Sequence, residues 1–169
     1  MKGNAATRLV RSCVLVATFG LAQGCLVACA SAPAAGPGRS IASEVRLFLN
    51  AYANDLRGGN REAIAARYHP QGAYLLGNGA KSFESFAELR SHYLTAWQPP
   101  SAFEWCDLSI EPISNDAAVV AGRFVWQTAK VHRYFSYAAL LVRHEGTLRI
   151  RLEDESQDPD GRESGCSQP

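Results

Sequence analysis

From Phe103 to Ser156 the chain is dominated by runs rich in Val, Ile, Phe, Tyr and Trp, broken at Ser114-Asn115-Asp116, around Lys130 to His132 and at Glu145-Gly146. Such residues suit a pleated, half-buried surface and such breaks suit turns, so the stretch predicts four consecutive antiparallel strands, a β-meander. In the last strand Leu148, Ile150 and Leu152 alternate with Arg149, Arg151 and Glu153. The first set is assigned inward and the second to solvent, and parity then carries Asp154 inward. With a two-residue turn at Glu145-Gly146, Tyr137 lies opposite Asp154, beside Ala139 and Leu141; a bulge at Gly146 would move that register by one. The second strand, Ala117 to Thr128, is apolar on both faces at Val119, Val120, Phe124, Val125 and Trp126, as strands covered on both sides are. Helices are available for one face only, so the outer face is expected to receive a second subunit, giving a homodimer.

Upstream, the period changes from two to 3.6. Ile41, Val45, Phe48, Leu49, Tyr52 and Leu56 recur at helical spacing, with Ser40 as N-cap and Gly58-Gly59 as the left-handed stop. Asn60 is placed to cap a second, shorter helix over residues 61–68, ended by His69-Pro70, that packs as a hairpin on the first. Gly72 to Leu76 reads as a short strand closed by the turn Gly77-Asn78-Gly79. Ser85 and Glu88 have capping-box spacing and open a third helix with Phe86, Leu89, Tyr93, Ala96 and Trp97 on one face, stopped by Pro99-Pro100. Most of these aromatics are expected in the core. Tyr52, Tyr93 and Trp97 are set apart as pocket candidates, because each carries a polar group that needs a partner.

The first 40 residues follow a different logic. Lys2, Arg8 and Arg11 precede an apolar stretch, Cys13 to Ala22, that runs on to small residues near Cys29. That is the layout of a secretory signal, and Gly20, Gln23 and Gly24 interrupt it too early for a membrane span. Leu26-Val27-Ala28-Cys29 resembles the lipobox of bacterial lipoproteins. This implies a signal peptide over 1–28, lipidation at Cys29, a flexible tether over 29–40 and a domain held at the cell envelope. With Ala30 following, the outer membrane is the expected address, facing the periplasm. Ala22-Gln23-Gly24-Cys25 is a second candidate, and a plain secretory cut near Ala28 to Ala32 also fits. The domain itself is expected over 41–156, with a polar tail over 157–169.

Removing the three leader cations leaves 14 basic against 16 acidic residues, too balanced to draw in nucleic acid over a distance. The membrane is expected as a partner only through the lipid. Of five cysteines, Cys106 and Cys166 form the even pair left in an oxidising compartment, so a disulfide between them is expected. There is no phosphate-binding glycine loop, paired-cysteine zinc spacing, HExxH or GxSxG, so neither a metal nor another cofactor is predicted.

The element order, the opening FLNAYANDLRGGNREAIAARYHPQGAYLLGNG and the closing strand TLRIRLEDES resemble the nuclear transport factor 2-like superfamily, which includes the SnoaL-like domains. The resemblance implies an α+β fold: a cone-shaped, curved antiparallel sheet wrapped around three N-terminal helices, also described as cystatin-like. It leaves function open, because this fold hosts isomerases, dehydratases, cyclases and proteins that only bind or assemble. By that resemblance Tyr52 matches the oxyanion-hole tyrosine of ketosteroid isomerases, whereas the base position falls on Leu76 and the second acid near Ala138. Three functions follow. One is a pocket for a small, largely apolar molecule, lined by Tyr52, Tyr93, Trp97, Trp126, Tyr137 and Asp154, with Asp107 and Arg123 as further ligand-binding candidates. Another is single-acid proton transfer with Asp154 as base and Tyr52 or Tyr137 as hydrogen-bond donor, His69 and His92 being alternative participants. The third is a dimeric assembly module without an active pocket.

Overall fold

A computed structural model describes residues 40–158; the expected leader, the expected lipidation site Cys29 and the tail with Cys166 lie outside the described residues. Helix α1 spans Ile41–Gly58, capped by the Ser40 side chain on the Ser43 amide and closed by Gly59 at φ 64°. Its inward stripe buries Val45, Leu49, Tyr52 and Leu56. Helix α2 (Arg61–Ala65) stops three residues short of the expected end, and the Asn60 side chain does not cap it but reaches Asp55 Oδ1 at 3.3 Å. The freed segment serves the sheet instead. The Ile150 amide donates to Arg67 O at 2.8 Å and the His69 amide to Ile150 O at 3.0 Å, clamping Tyr68 beside the last strand.

Strands β1 (Ala73–Gly77) and β2 (Ala80–Glu84) form a hairpin about Asn78 and Gly79, both at positive φ. β2 was not predicted: its AKSFE sequence is mostly polar because it is an edge strand exposed along most of its length. Helix α3 (Phe86–Thr95) starts with the full Ser85–Glu88 capping box. The meander follows as β3 (Ala102–Pro112), β4 (Ala117–Gln127), β5 (His132–His144) and β6 (Thr147–Gln157). The six strands order as β2-β1-β6-β5-β4-β3 in a curved sheet. The meander is antiparallel as expected, but β1 joins β6 in parallel, so the sheet is mixed.

Two irregularities shape it. In β3, Asp107 and Leu108 together oppose Gly122, with Asp107 at φ 50°. A Cβ on Gly122 would sit 3.0 Å from the carbonyl oxygens of Cys106 and Asp107 and 2.9 Å from Leu108, so the close approach at this bulge requires glycine. The second irregularity lies between β5 and β6. The Glu145-Gly146 turn has two residues, both at positive φ, and pairs His144 with Thr147. Register then holds to Leu141–Ile150 and resumes at Leu140–Leu152, leaving Arg151 as one extra residue. The bulge is therefore at Arg151 and not at Gly146, and every later residue changes face. Tyr137 pairs with Glu155 and Ala139 with Glu153, while Asp154 pairs with Ala138 on the outer side.

The core is packed between α1 and the inner face of the meander around Val45, Leu49, Val120, Leu141 and Ile150. The outer face carries one residue from each of five adjacent strands in a continuous apolar row. Val119 pairs with Leu140, Leu140 with Leu152, Leu152 with Tyr74, and Tyr74 with Phe83. Val119, Tyr74 and Phe83 are 37%, 41% and 49% exposed. Cys106 is disulfide-bonded.

Candidate functional site

The same curvature that gathers the core leaves a cavity of about 550 Å³ between α1, α3 and the inner face of the sheet. Its walls are aromatic: Tyr52 from α1, Tyr93 from α3, Trp97 just beyond it, and Phe124, Trp126 and Phe135 from β4 and β5. Trp97 meets Trp126 edge-on at 6.1 Å, and Phe124 stacks on Phe135 at 4.8 Å.

Glu153 sits in this wall with 4% of its surface exposed. Burying a carboxyl is costly unless its oxygens are hydrogen-bonded. Here Tyr68 donates to Oε2 and Tyr137 to Oε1, the latter at 3.0 Å. The Tyr68 hydroxyl also contacts the hydroxyls of Tyr93 at 2.7 Å and Tyr52 at 3.4 Å. Four tyrosines from four parts of the chain thus gather at a single buried acid, Tyr68 and Tyr137 bonded to it and Tyr93 and Tyr52 reaching it through Tyr68. Each is delivered by local structure: Tyr52 by the buried stripe of α1, Tyr68 by the clamp on Ile150, Tyr93 by α3 and Tyr137 by the inward parity of β5.

Burial pushes the Glu153 carboxyl above the usual glutamate range, and the tyrosine hydrogen bonds from Tyr68, Tyr137 and Tyr52 pull it part of the way back. Glu155, two residues on and again facing the cavity, is raised well above that range by desolvation first and then by the charges of Glu153 and Asp154. Glu155 is nevertheless exposed to solvent, which weakens that shift. The four tyrosines are pushed up, by burial first and then by the neighbouring carboxyls, so all four hydroxyls keep their protons at neutral pH. In chemical terms the site is a buried acid able to hold or release a proton, wired through Tyr68 to a hydroxyl, Tyr93, on the cavity wall.

The residues singled out from the sequence separate cleanly. Tyr52, Tyr93, Trp97 and Trp126 line the cavity, and Tyr137 holds Glu153. Asp154 does not face the cavity: the Arg151 bulge turns it outward, where its Oδ1 accepts from Ser156 Oγ at 2.8 Å. Asp107 and Arg123 form an ion pair with each other at the β3 bulge, half-exposed and off the cavity. His92 lines the cavity, while His69 is buried elsewhere against His144, ring centroids 4.8 Å apart, with burial the first cause of its lowered pKa. Sequence reasoning missed Glu153, Glu155 and the role of Tyr68. The usable signal was the run Glu153-Asp154-Glu155, in which either parity delivers a carboxylate inward. Among the described residues no group of three or more metal-ligating side chains forms a metal site.

No protein-family model matches the chain, and no curated protein does. Solved structures do. An NTF-2-like protein of unknown function from Shewanella oneidensis MR-1 is 18% identical, with a TM-score of 0.62 over 69% of this chain and 98% of that one. A protein of unknown function with a cystatin-like fold from Nostoc punctiforme is 15% identical, with a TM-score of 0.56 over 69% and 90%. A ketosteroid isomerase-like protein from Erwinia carotovora atroseptica SCRI1043 is 16% identical, with a TM-score of 0.53 over 68% and 93%. At these identities the likeness shows the fold alone: the chain has the α+β fold seen in NTF-2-like and cystatin-like proteins.

Proposed function

We propose that the chain is a SnoaL-like pocket protein that takes one small, largely apolar ring-containing molecule, with Glu153 as the polar anchor of its site. The observation that carries this reading is an aromatic cavity of about 550 Å³ with a tyrosine-held carboxyl in its wall. Small-molecule sites are of this size and kind, apolar with a few placed polar groups. Native mass spectrometry of the chain purified gently from its own cells, compared with the denatured sample, tests it. A reproducible adduct supports the reading, and bare protein under all conditions that preserve the fold opposes it.

A second reading is supported by the raised Glu153 carboxyl: proton transfer of the isomerase, cyclase or dehydratase type. In it Glu153 takes over the base role expected of Asp154, and a tyrosine hydroxyl supports the developing oxyanion. Turnover of the adduct's parent compound, lost in Glu153→Gln while binding persists, would select this reading over simple binding.

Export and anchoring belong to the same proposal and rest on Lys2, Arg8, Arg11, the apolar run and Leu26 to Cys29. Labelled palmitate entering the wild-type chain but not Cys29→Ser is the expected result. A homodimer through the outer sheet face is supported by the five-strand apolar row, since soluble monomers seldom leave so continuous a patch uncovered. A monomeric mass in sedimentation would refute it and, were the cavity also shown to be empty, leave no support for the assembly alternative.

A further inference from the structure

Resting on the pocket reading, we infer that the molecule it takes carries a basic nitrogen, as a protonated amine or quaternary ammonium on an apolar body. Glu153 and Glu155 are neighbours on the inward face of β6, roughly 7 Å apart along the strand, and both line the cavity. Among the described residues neither belongs to an ion pair; the Arg–carboxylate contacts fall on Asp55, Glu62, Asp107, Glu44 and Asp116. Glu153 is held by hydroxyls alone, which orient a carboxylate without neutralising it. Glu153 is buried and Glu155 exposed, and a positive charge placed between or beside two such carboxyls favours the ionised form of both.

The nearby arginines are committed elsewhere. Arg61 donates to the carbonyl oxygens of Tyr93 and Leu94, and Arg67 is paired with Asp55. The basic groups that do line the cavity are His92 and Arg133. Arg133 stands four residues along β5 from Tyr137, the pairing partner of Glu155, roughly 13 Å away along the strand. The walls also suit a cation. They include the rings of Tyr93, Trp97 and Trp126, and aromatic rings are what hold quaternary ammonium groups in sites of this kind.

The test uses two compounds of one shape, phenyltrimethylammonium and tert-butylbenzene, titrated into the full chain at pH 8 by calorimetry and by the fluorescence of Trp97 and Trp126. The cation is expected to bind about tenfold or more tighter than its neutral isostere, a difference of about 1.4 kcal/mol. Glu155→Gln, whose side chain solvent already reaches, should remove most of that preference and leave tert-butylbenzene affinity within about twofold. Glu153→Gln should act likewise, and Glu155→Gln carries the test alone should Glu153→Gln fail to fold. Equal affinity for the two compounds, or a preference unchanged in Glu155→Gln, overturns the cation assignment and leaves the pocket reading intact. Binding of neither compound overturns both.

Discussion

Replacing Tyr68 by Phe removes one oxygen and almost no volume, yet that oxygen is the hub of the site. It donates to Glu153 Oε2 and contacts the hydroxyls of Tyr93 and Tyr52. The cost depends on the charge of Glu153. With the carboxyl protonated, the lost bond joins neutral groups and is worth about 1 kcal/mol; with it ionised, the same bond is worth about 1.5–3 kcal/mol. Glu153 titrates above its ordinary value in the folded chain, so its contribution to stability is complete below pH 4.5 and is lost as pH rises through the folded value. The Tyr68 bond opposes that upward shift, so Tyr68→Phe lifts the folded value further and steepens the loss. Urea unfolding at pH 5 and pH 8, followed by tryptophan fluorescence, should give the smaller penalty at the lower pH, towards about 1 kcal/mol as Glu153 is protonated, and the larger at the higher, towards about 1.5–3 kcal/mol as it ionises. At about 4 °C per kcal/mol the larger value lowers Tm by roughly 10 °C. Glu155 has the same sign of linkage and is present in both proteins, so it cancels to first order. Equal penalties at the two pH values, or a penalty below about 0.5 kcal/mol at both, would refute the picture of Tyr68 holding a buried acid.

Other perturbations test other parts of the fold. Gly122→Ala forces a methyl against two carbonyl oxygens at the β3 bulge and should cost about 1–3 kcal/mol in denaturant unfolding. Ser85→Ala removes the hydroxyl half of the capping box at α3 and should cost about 1 kcal/mol by the same measurement. Leu140→Arg places a charge in the middle of the outer apolar row; under the proposed homodimer the sedimentation mass should fall from a dimer's to a monomer's, and an unchanged dimeric mass would count against this face.

What the sequence displayed and what it concealed follow from how local each determinant is. Helix α1 is readable because its cap, apolar stripe and left-handed stop lie within twenty residues, and the α3 capping box within four. The meander is readable because β-rich runs and turn signals alternate along it. The helix-borne aromatics Tyr52, Tyr93 and Trp97 could be set apart because each needs both packing and a hydrogen-bond partner. Strand β2 escaped because an exposed edge strand has no apolar alternation to show. Helix α2 was overextended because propensity does not register that residues 67–69 are claimed by Ile150. The choice of Asp154 over Glu153 failed for a similar reason. Strand parity is a running count, and nothing local to Arg151 announces that it should be skipped.

That skipped residue gives β6 a change of phase: Arg151 counts for chain length but not for the two faces. With it struck out, Leu148, Ile150, Glu153 and Glu155 fall on one side in plain alternation, and Leu152 and Asp154 on the other. A relative one residue shorter in this strand should therefore be aligned with its gap at Arg151. Placing the gap in the following tail instead would exchange pocket positions for surface positions from Leu152 onward, in that relative and in every comparison built on it.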